Sequence, residues 1–314
     1  MGRTNTSSKP KIKIKHLGKY NRGADDFYVS EESTSYGNKK PYSVFYENQE
    51  PLVRLLKGDT IEILNQSREN SVDMIFADPP YFLSNGGISC HAGKMVSVNK
   101  GKWDKSKGVE ENHKFNLEWL KACQRVLKPN GTIWVSGTQH VIFSVGYAMQ
   151  ELGFKILNDI TWEKPNPPPN LSCRYFTHST ETVLWAGKNA KSKHLFNYAL
   201  MREFNGGKQM KTVWKFTSPS SNEKTFGKHP TQKPVELLQR IIQASTKMGD
   251  LVLDPFCGSS TTGVASILLD RKYVGIDFEE DYLDLSVKRL KKTVAEKESR
   301  LFPTTSIASI KASE

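Results

Sequence analysis

Apolar and polar positions change rhythm several times along the chain. From Pro51 onward, "LVRLLKGD" is a short apolar run that reads as a strand, and "TIEIL" opens a helix. "SVDMIFA" reads as a compact buried strand, "FNLEWLKACQRVL" carries apolar residues at helical spacing, and "KPNG" is a turn signal. "TIWVSG" predicts a strand, "HVIFSVGYAMQEL" a helix, and "FKILNDITWEK" and "ETVLWAG" two further strands. From Lys188 to Lys228 the periodicity fades, and basic and aromatic residues interleave. "PVELLQRIIQAS" then predicts a helix with Pro234 at its first position and Glu236 in its first turn. Strand "DLVLD", a Gly/Ser/Thr turn, helix "GVASILL", strand "KYVGID" and a long amphipathic helix from about Glu280 complete the pattern.

Strands alternating with helices predict an α/β fold, a doubly wound and mostly parallel sheet covered on both faces. Residues 1–45, rich in Lys, Ser, Gly and Asn, read as a flexible basic arm, and 301–314 as a flexible tail. The folded region then divides into 46–187, an insert at 188–228, and 229–300.

The formal net charge of +12 and pI of about 9.3 point to a polyanionic partner, of which nucleic acid is the commonest. No apolar run is long enough to span a membrane, and the polar, basic start has no apolar signal region. Cys90, Cys123, Cys173 and Cys257 form no C-x-x-C pair, which argues against disulfides and zinc and for a reducing cytoplasm.

Ligands of doubly wound sheets sit beyond the carboxyl ends of the strands, and two strands here end in unusual loops. "LVLDPFCGSSTTG" leaves a strand at Asp254 through small residues into a helix, so its backbone can approach a ligand. It lacks the Lys and Ser/Thr of a phosphate loop and the spacing of the dinucleotide fingerprint, as expected for a cofactor without a pyrophosphate. Strand "KYVGID" ends at Asp277, about 20 residues on, where an acid commonly binds ribose hydroxyls. The other loop is "ADPPY". Pro79 forces Asp78 into an extended conformation, and Pro79 and Pro80 fix their own φ angles. The result is a rigid arm that carries a carboxylate, a carbonyl and the Tyr81 ring, which suits a planar group bearing an NH2.

"ADPPY" together with "LDPFCGSSTTG" resembles the S-adenosylmethionine-dependent amino-methyltransferases of DNA. The order of the motifs, catalytic before cofactor with the insert between them, resembles the β group of that family, and the similarity runs from about Leu52 to Leu290. "DPPYFLSNGGIS" and "NLSCRYFTHSTET" are most similar to DpnA-type enzymes of GATC restriction systems. The resemblance implies a Rossmann-like methyltransferase fold. Its catalytic half is 46–187, its target-recognition insert 188–228 and its cofactor-binding half 229–300. It also implies methyl transfer to N6 of adenine by Asp78, Pro79, Pro80 and Tyr81, with the target base flipped from the helix or supplied single-stranded. S-adenosylmethionine would lie against Asp254, Phe256, Gly258 and Ser260, with Asp277 at the ribose, Asp59 near the adenine ring, and Thr231 and Lys233 near the methionine end. No metal is implied.

Tyr81 is the expected stacking face, assisted by Phe82 or Trp162. Lys191, Lys193, Lys208, Lys211 and Lys215, with Trp214 and Phe216 among them, are the expected DNA contacts of the insert. The loop from Phe82 to about His113 is expected to close over DNA or cofactor. Duplex or single-stranded DNA, a cognate restriction endonuclease and a second copy of the chain are the expected partners, at the bacterial nucleoid in the cytoplasm. One departure stands out: Ser260 occupies the second glycine position of the family's F-x-G-x-G. Two alternatives stay open, a cytosine-N4 methyltransferase, where the family usually has Ser at the first motif position, and a DNA-binding protein with an inactive methyltransferase fold.

Overall fold

The computed structural model describes residues 42–82, 88–91, 94–97, 104–227 and 229–301. Nine strands form one sheet in the order β1-β2-β11-β10-β3-β6-β8-β7-β9. They are β1 (Tyr42–Asn48), β2 (Val53–Gly58), β3 (Val72–Ala77), β6 (Leu127–Gly137), β7 (Lys155–Glu163), β8 (Thr180–Gly187), β9 (Val213–Lys215), β10 (Leu251–Asp254) and β11 (Lys272–Asp277). A separate antiparallel hairpin joins β4 (Ile88–His91) to β5 (Lys94–Ser97). The middle strands β2, β11, β10, β3 and β6 are all parallel, and β1 and β8 run antiparallel beside them.

Helices α1 (Thr60–Gln66), α2 (Val109–Val126) and α3 (Ile142–Glu151) follow one another along one flank. Helix α4 (Tyr198–Phe204) packs on α5 (Val235–Ser245), which leads to α6 (Thr261–Leu268) and α7 (Glu280–Leu301). A continuous cluster including Ile63, Ile75, Trp119, Leu120, Val135 and Val145 fills the space between the sheet and α1–α3. A second cluster joins Met74, Trp134 and Trp185 of the sheet to Leu238 and Ile242 of α5. This two-sided burial is why β3 and β10 read as unbroken apolar runs.

Several boundaries differ from expectation, each for a local reason. Residues 42–45 belong to edge strand β1 rather than to an arm, and their partly polar pattern hid the strand. "KPNG" does not end an element. It bulges from β6, so that Leu127 pairs with Val72 and Thr132 already with Met74. Pro234 is extended and caps α5 from outside, since the helix starts at Val235. Helix α2 begins at Val109, so His113 is helical and the long loop ends earlier. Residues 83–87, 92–93 and 98–103 of that loop, together with the arm to 41 and the tail from 302, lie outside the described residues.

The insert is no separate unit. Its strand β9 extends the sheet beside β7, and Asn197 at the start of α4 donates to the carbonyls of Gln243 and Thr246 behind α5.

Candidate active site

Strands β10 and β11, last in sequence, occupy the middle of the sheet, so the two unusual loops end side by side. Beyond β10 the chain turns to β11 on one side, and beyond β3 it turns to β6 on the other. This reversal opens a crevice at the carboxyl ends. A cavity of about 290 Å³ lies there.

Asp78, Pro79, Pro80 and Tyr81 form one wall of the cavity. Asp78 Oδ1 accepts hydrogen bonds from Tyr81 Oη and Ser136 Oγ, both at 2.6 Å, and Oδ2 accepts one from Lys233 Nζ at 2.6 Å. Burial raises the Asp78 carboxyl, but the Lys233 ammonium and the three donors outweigh it and hold the group below its ordinary value. It is therefore a buried carboxylate at neutral pH. The turn behind it is braced by Asp104, whose Oδ1 accepts from Tyr81 N at 2.9 Å and Phe82 N at 2.7 Å. Tyr81 itself is only 5% exposed, packing into the core while lining the cavity. Burial and the adjacent Asp78 carboxylate push its phenol well up, so it stays a donor.

The opposite wall comes from β10 and its loop. Asp254 Oδ2 accepts from Thr262 Oγ1 at 2.6 Å and Oδ1 from Phe256 N at 3.1 Å. Burial still pushes its carboxyl up to about 7. Phe256 stands edge-on to Trp119, with ring centroids 5.4 Å apart. Gly258 has φ +49°, and a Cβ there would lie 2.9 Å from His229 Nε2, so only glycine lets the loop pass under the "HPTQKP" segment. Its N–H donates to Asp277 Oδ2 at 2.8 Å. Asp59 caps α1 through Glu62 N at 2.9 Å and lines the cavity, as Thr231 does.

The fold thus brings together the catalytic motif and every expected cofactor residue except one. Ser260 is fully buried and lies outside the cavity lining. It takes the left-handed conformation (φ 51°, ψ 44°) at the start of α6, and its Oγ accepts from Tyr273 Oη at 3.2 Å. The side chain therefore points to Tyr273 and away from the cavity. Lys233 lines the cavity, and its ammonium is bound to Asp78.

The expected DNA contacts fare differently. Trp162 is 2% exposed and donates from Nε1 to the Phe216 carbonyl at 2.8 Å. With Trp214 and Phe216 it belongs to the core, so none of the three offers a face to a base. Phe82 packs against the core and edge-on to Phe115. Lys191 and Lys193 follow the end of β8 that pairs with Thr132 at the start of the bulged β6, and Lys193 N donates to Asn130 Oδ1. They therefore lie at the opposite end of the sheet from Asp78. Exposed Lys208 and Lys211 flank the edge strand β9, and Lys215, also exposed, pairs with Glu163 at 3.2 Å. Sequence reasoning missed Ser136 and Asp104. Ser136 was signalled only by its place at the end of "TIWVSG", and Asp104 carried no signal.

A profile of the DNA methylase family matches residues 72–288. The type II methyltransferase M2.LlaDCHI of Lactococcus lactis subsp. cremoris is 57% identical over 258 residues, spanning 82% of this chain and 95% of the relative. M2.DpnII of Streptococcus pneumoniae is 58% identical over 246 residues, 78% of this chain and 91% of that one. The crystal structure of the M1.HpyAVI–SAM complex aligns with a TM-score of 0.58 at 31% identity, over 76% of this chain and 98% of that chain. The cytosine-N4-specific PvuII methyltransferase shares the fold, with a TM-score of 0.60 at 21% identity.

The cavity suits S-adenosylmethionine on its own terms. A glycine cradle admits close backbone approach, the Asp277 carboxylate stands at a strand end, and the wall acids Asp78 and Asp254 suit a cationic ligand. Its size is that of a small-molecule site of roughly 300 Å³ or more. A chain that shares most of its length and more than half of the aligned residues with two type II methyltransferases belongs to the DNA methylase family, and it is an S-adenosylmethionine-dependent DNA methyltransferase.

Proposed function

We propose that this enzyme methylates the exocyclic N6 amine of adenine, within GATC, as the modification half of a restriction–modification system. One observation carries the choice of base: the first motif position is a buried, ionised Asp78 rather than a hydroxyl residue. The adenine amine is a poor nucleophile because its lone pair is delocalised into the ring. A carboxylate at Asp78 and the carbonyl of Pro79 can accept its two hydrogens and free that lone pair. S-adenosylmethionine supplies an electrophilic methyl when bound. The chain contributes alignment, fixed acceptors and exclusion of water, and positioning of this kind is worth up to about 7–11 kcal/mol. A low-lying carboxylate stabilises the positive charge that develops on the amine, and the methylated amine loses its surplus proton to solvent after transfer.

The resemblance of "DPPYFLSNGGIS" and "NLSCRYFTHSTET" to GATC enzymes supports the site, and the two type II relatives support a companion endonuclease. A DNA substrate puts the place of work in the bacterial cytoplasm, at the nucleoid. For the DNA-facing surface, the reading favours the segment between β7 and β8. It leaves the sheet at the same end as Asp78 and carries exposed Arg174, Tyr175 and Phe176, the last 95% exposed. A cation next to two aromatic rings suits phosphate and unstacked bases.

The test is product analysis. Duplex and single-stranded oligonucleotides with and without GATC are incubated with labelled S-adenosylmethionine and digested to nucleosides. The expected label is N6-methyldeoxyadenosine, confined to GATC. Label in N4-methyldeoxycytidine would overturn the choice of base.

A further inference from the structure

Lys233 and Glu181 stand behind Asp78. Lys233 is 5% exposed, and apart from Asp78 its ammonium reaches Tyr81 Oη and the Thr231 carbonyl, each at 3.3 Å. Glu181, on β8, places Oε2 3.6 Å from the Lys233 nitrogen. That oxygen is buried and has no hydrogen-bond partner, while Oε1 accepts from Lys164. A buried ammonium held between two carboxylates cannot turn away to solvent.

An ionised carboxylate offers about four acceptor positions. Tyr81 and Ser136 occupy two of them on Oδ1, and Lys233 occupies one on Oδ2. The remaining position belongs to Oδ2. We infer that Lys233, braced by Glu181, is a positioning residue that pins the Asp78 carboxylate so that Oδ2 receives the target amine, and that keeps the carboxylate ionised while the amine gains charge. No covalent step involves either residue. Lys233 stays protonated throughout, and Glu181 opposes the pull of Asp78 on it.

Titratable groups reach Asp78 from four directions: Tyr81 on its own turn, Lys233 before α5, Asp254 at the end of β10, and Glu181 on β8 through Lys233. Of these, Lys233 alone brings a positive charge. Without it, burial pushes the Asp78 carboxyl upward against only the Ser136 and Tyr81 hydrogen bonds. The acid limb of the reaction then moves toward neutral pH.

The experiment is single-turnover methyl transfer from pH 5 to 9 with total label in DNA as the readout, for the wild type, Lys233→Met, Lys233→Arg and Glu181→Gln. Cofactor affinity by calorimetry and thermal unfolding accompany it. Lys233→Met should lose about 100-fold or more in rate, the scale for removing one preorganised electrostatic partner. Its acid limb should move up in pH while cofactor affinity stays within about threefold. Lys233→Arg should restore the wild-type limb and part of the rate, and Glu181→Gln should show a smaller loss in the same direction. A Lys233→Met enzyme with the wild-type rate would overturn the inference. So would a slower enzyme whose pH profile is unmoved, or loss of rate in Lys233→Arg equal to that in Lys233→Met. The inference rests on Asp78 accepting the amine and not on which base carries it. Because the label is counted regardless of base, a cytosine product would sink the adenine reading and leave this one standing.

Discussion

Ser260 shows how one residue can break a motif without lining the cavity. The family's second glycine sits where the backbone must be left-handed, and Ser260 adopts that conformation at φ 51°. For a non-glycine residue this costs roughly 1–2 kcal/mol. The hydrogen bond from Tyr273 Oη offsets about 1 kcal/mol of it. The side chain points into the core beside Tyr273, so the conformational cost falls on the fold. Ser260→Gly should therefore change unfolding free energy by no more than about 1 kcal/mol, measured by denaturant titration. Its affinity for S-adenosylmethionine should stay within about twofold. A tenfold tighter cofactor would show that the hydroxymethyl group does reach the ligand. The sequence revealed the departure but not its direction, because which way a Cβ points at a turn depends on the backbone angle.

At the scale of elements, the loops at strand ends were legible and the surface partners were not. "ADPPY" and "LDPFCGSSTTG" announce themselves because prolines and small residues have few structural uses at a strand end. Trp162, Trp214 and Phe216 carried the same aromatic signal as base-stacking residues, yet they fill the space between β7, β9 and α5. Periodicity cannot separate the two roles when a short edge strand such as β9 is only three residues long. The basic residues of the insert misled for a related reason: charge along a chain does not say at which end of a sheet it emerges. Arg174 emerges with Asp78, whereas Lys191 and Lys193 emerge at the far end. Arg174→Ala should weaken DNA binding and lower the salt slope of the affinity by about one. The double change Lys191→Ala with Lys193→Ala should leave both within error. Titrations at several salt concentrations would read this directly, and the opposite pattern would move the DNA to the insert.

For the whole molecule, alternation of strands and helices sufficed for the doubly wound, mostly parallel class. Alternation did not show that the last two strands, β10 and β11, sit between β2 and β3. That placement lets Asp78, Asp254 and Asp277 line one cavity although Asp78 is far from the other two in sequence. It also brings Lys233 across the crevice onto Asp78, a pairing that no spacing rule encodes. The proposed division of labour builds on it: the β10–β11 side of the cavity would hold the cofactor, and the β3 side the amine.

The most direct test of that division is a paired measurement on Asp78→Ala, with cofactor binding by calorimetry and labelled methyl transfer to GATC-containing DNA on the same preparation. The account predicts cofactor affinity near that of the wild type and no detectable transfer. Near-normal turnover in the variant would contradict it.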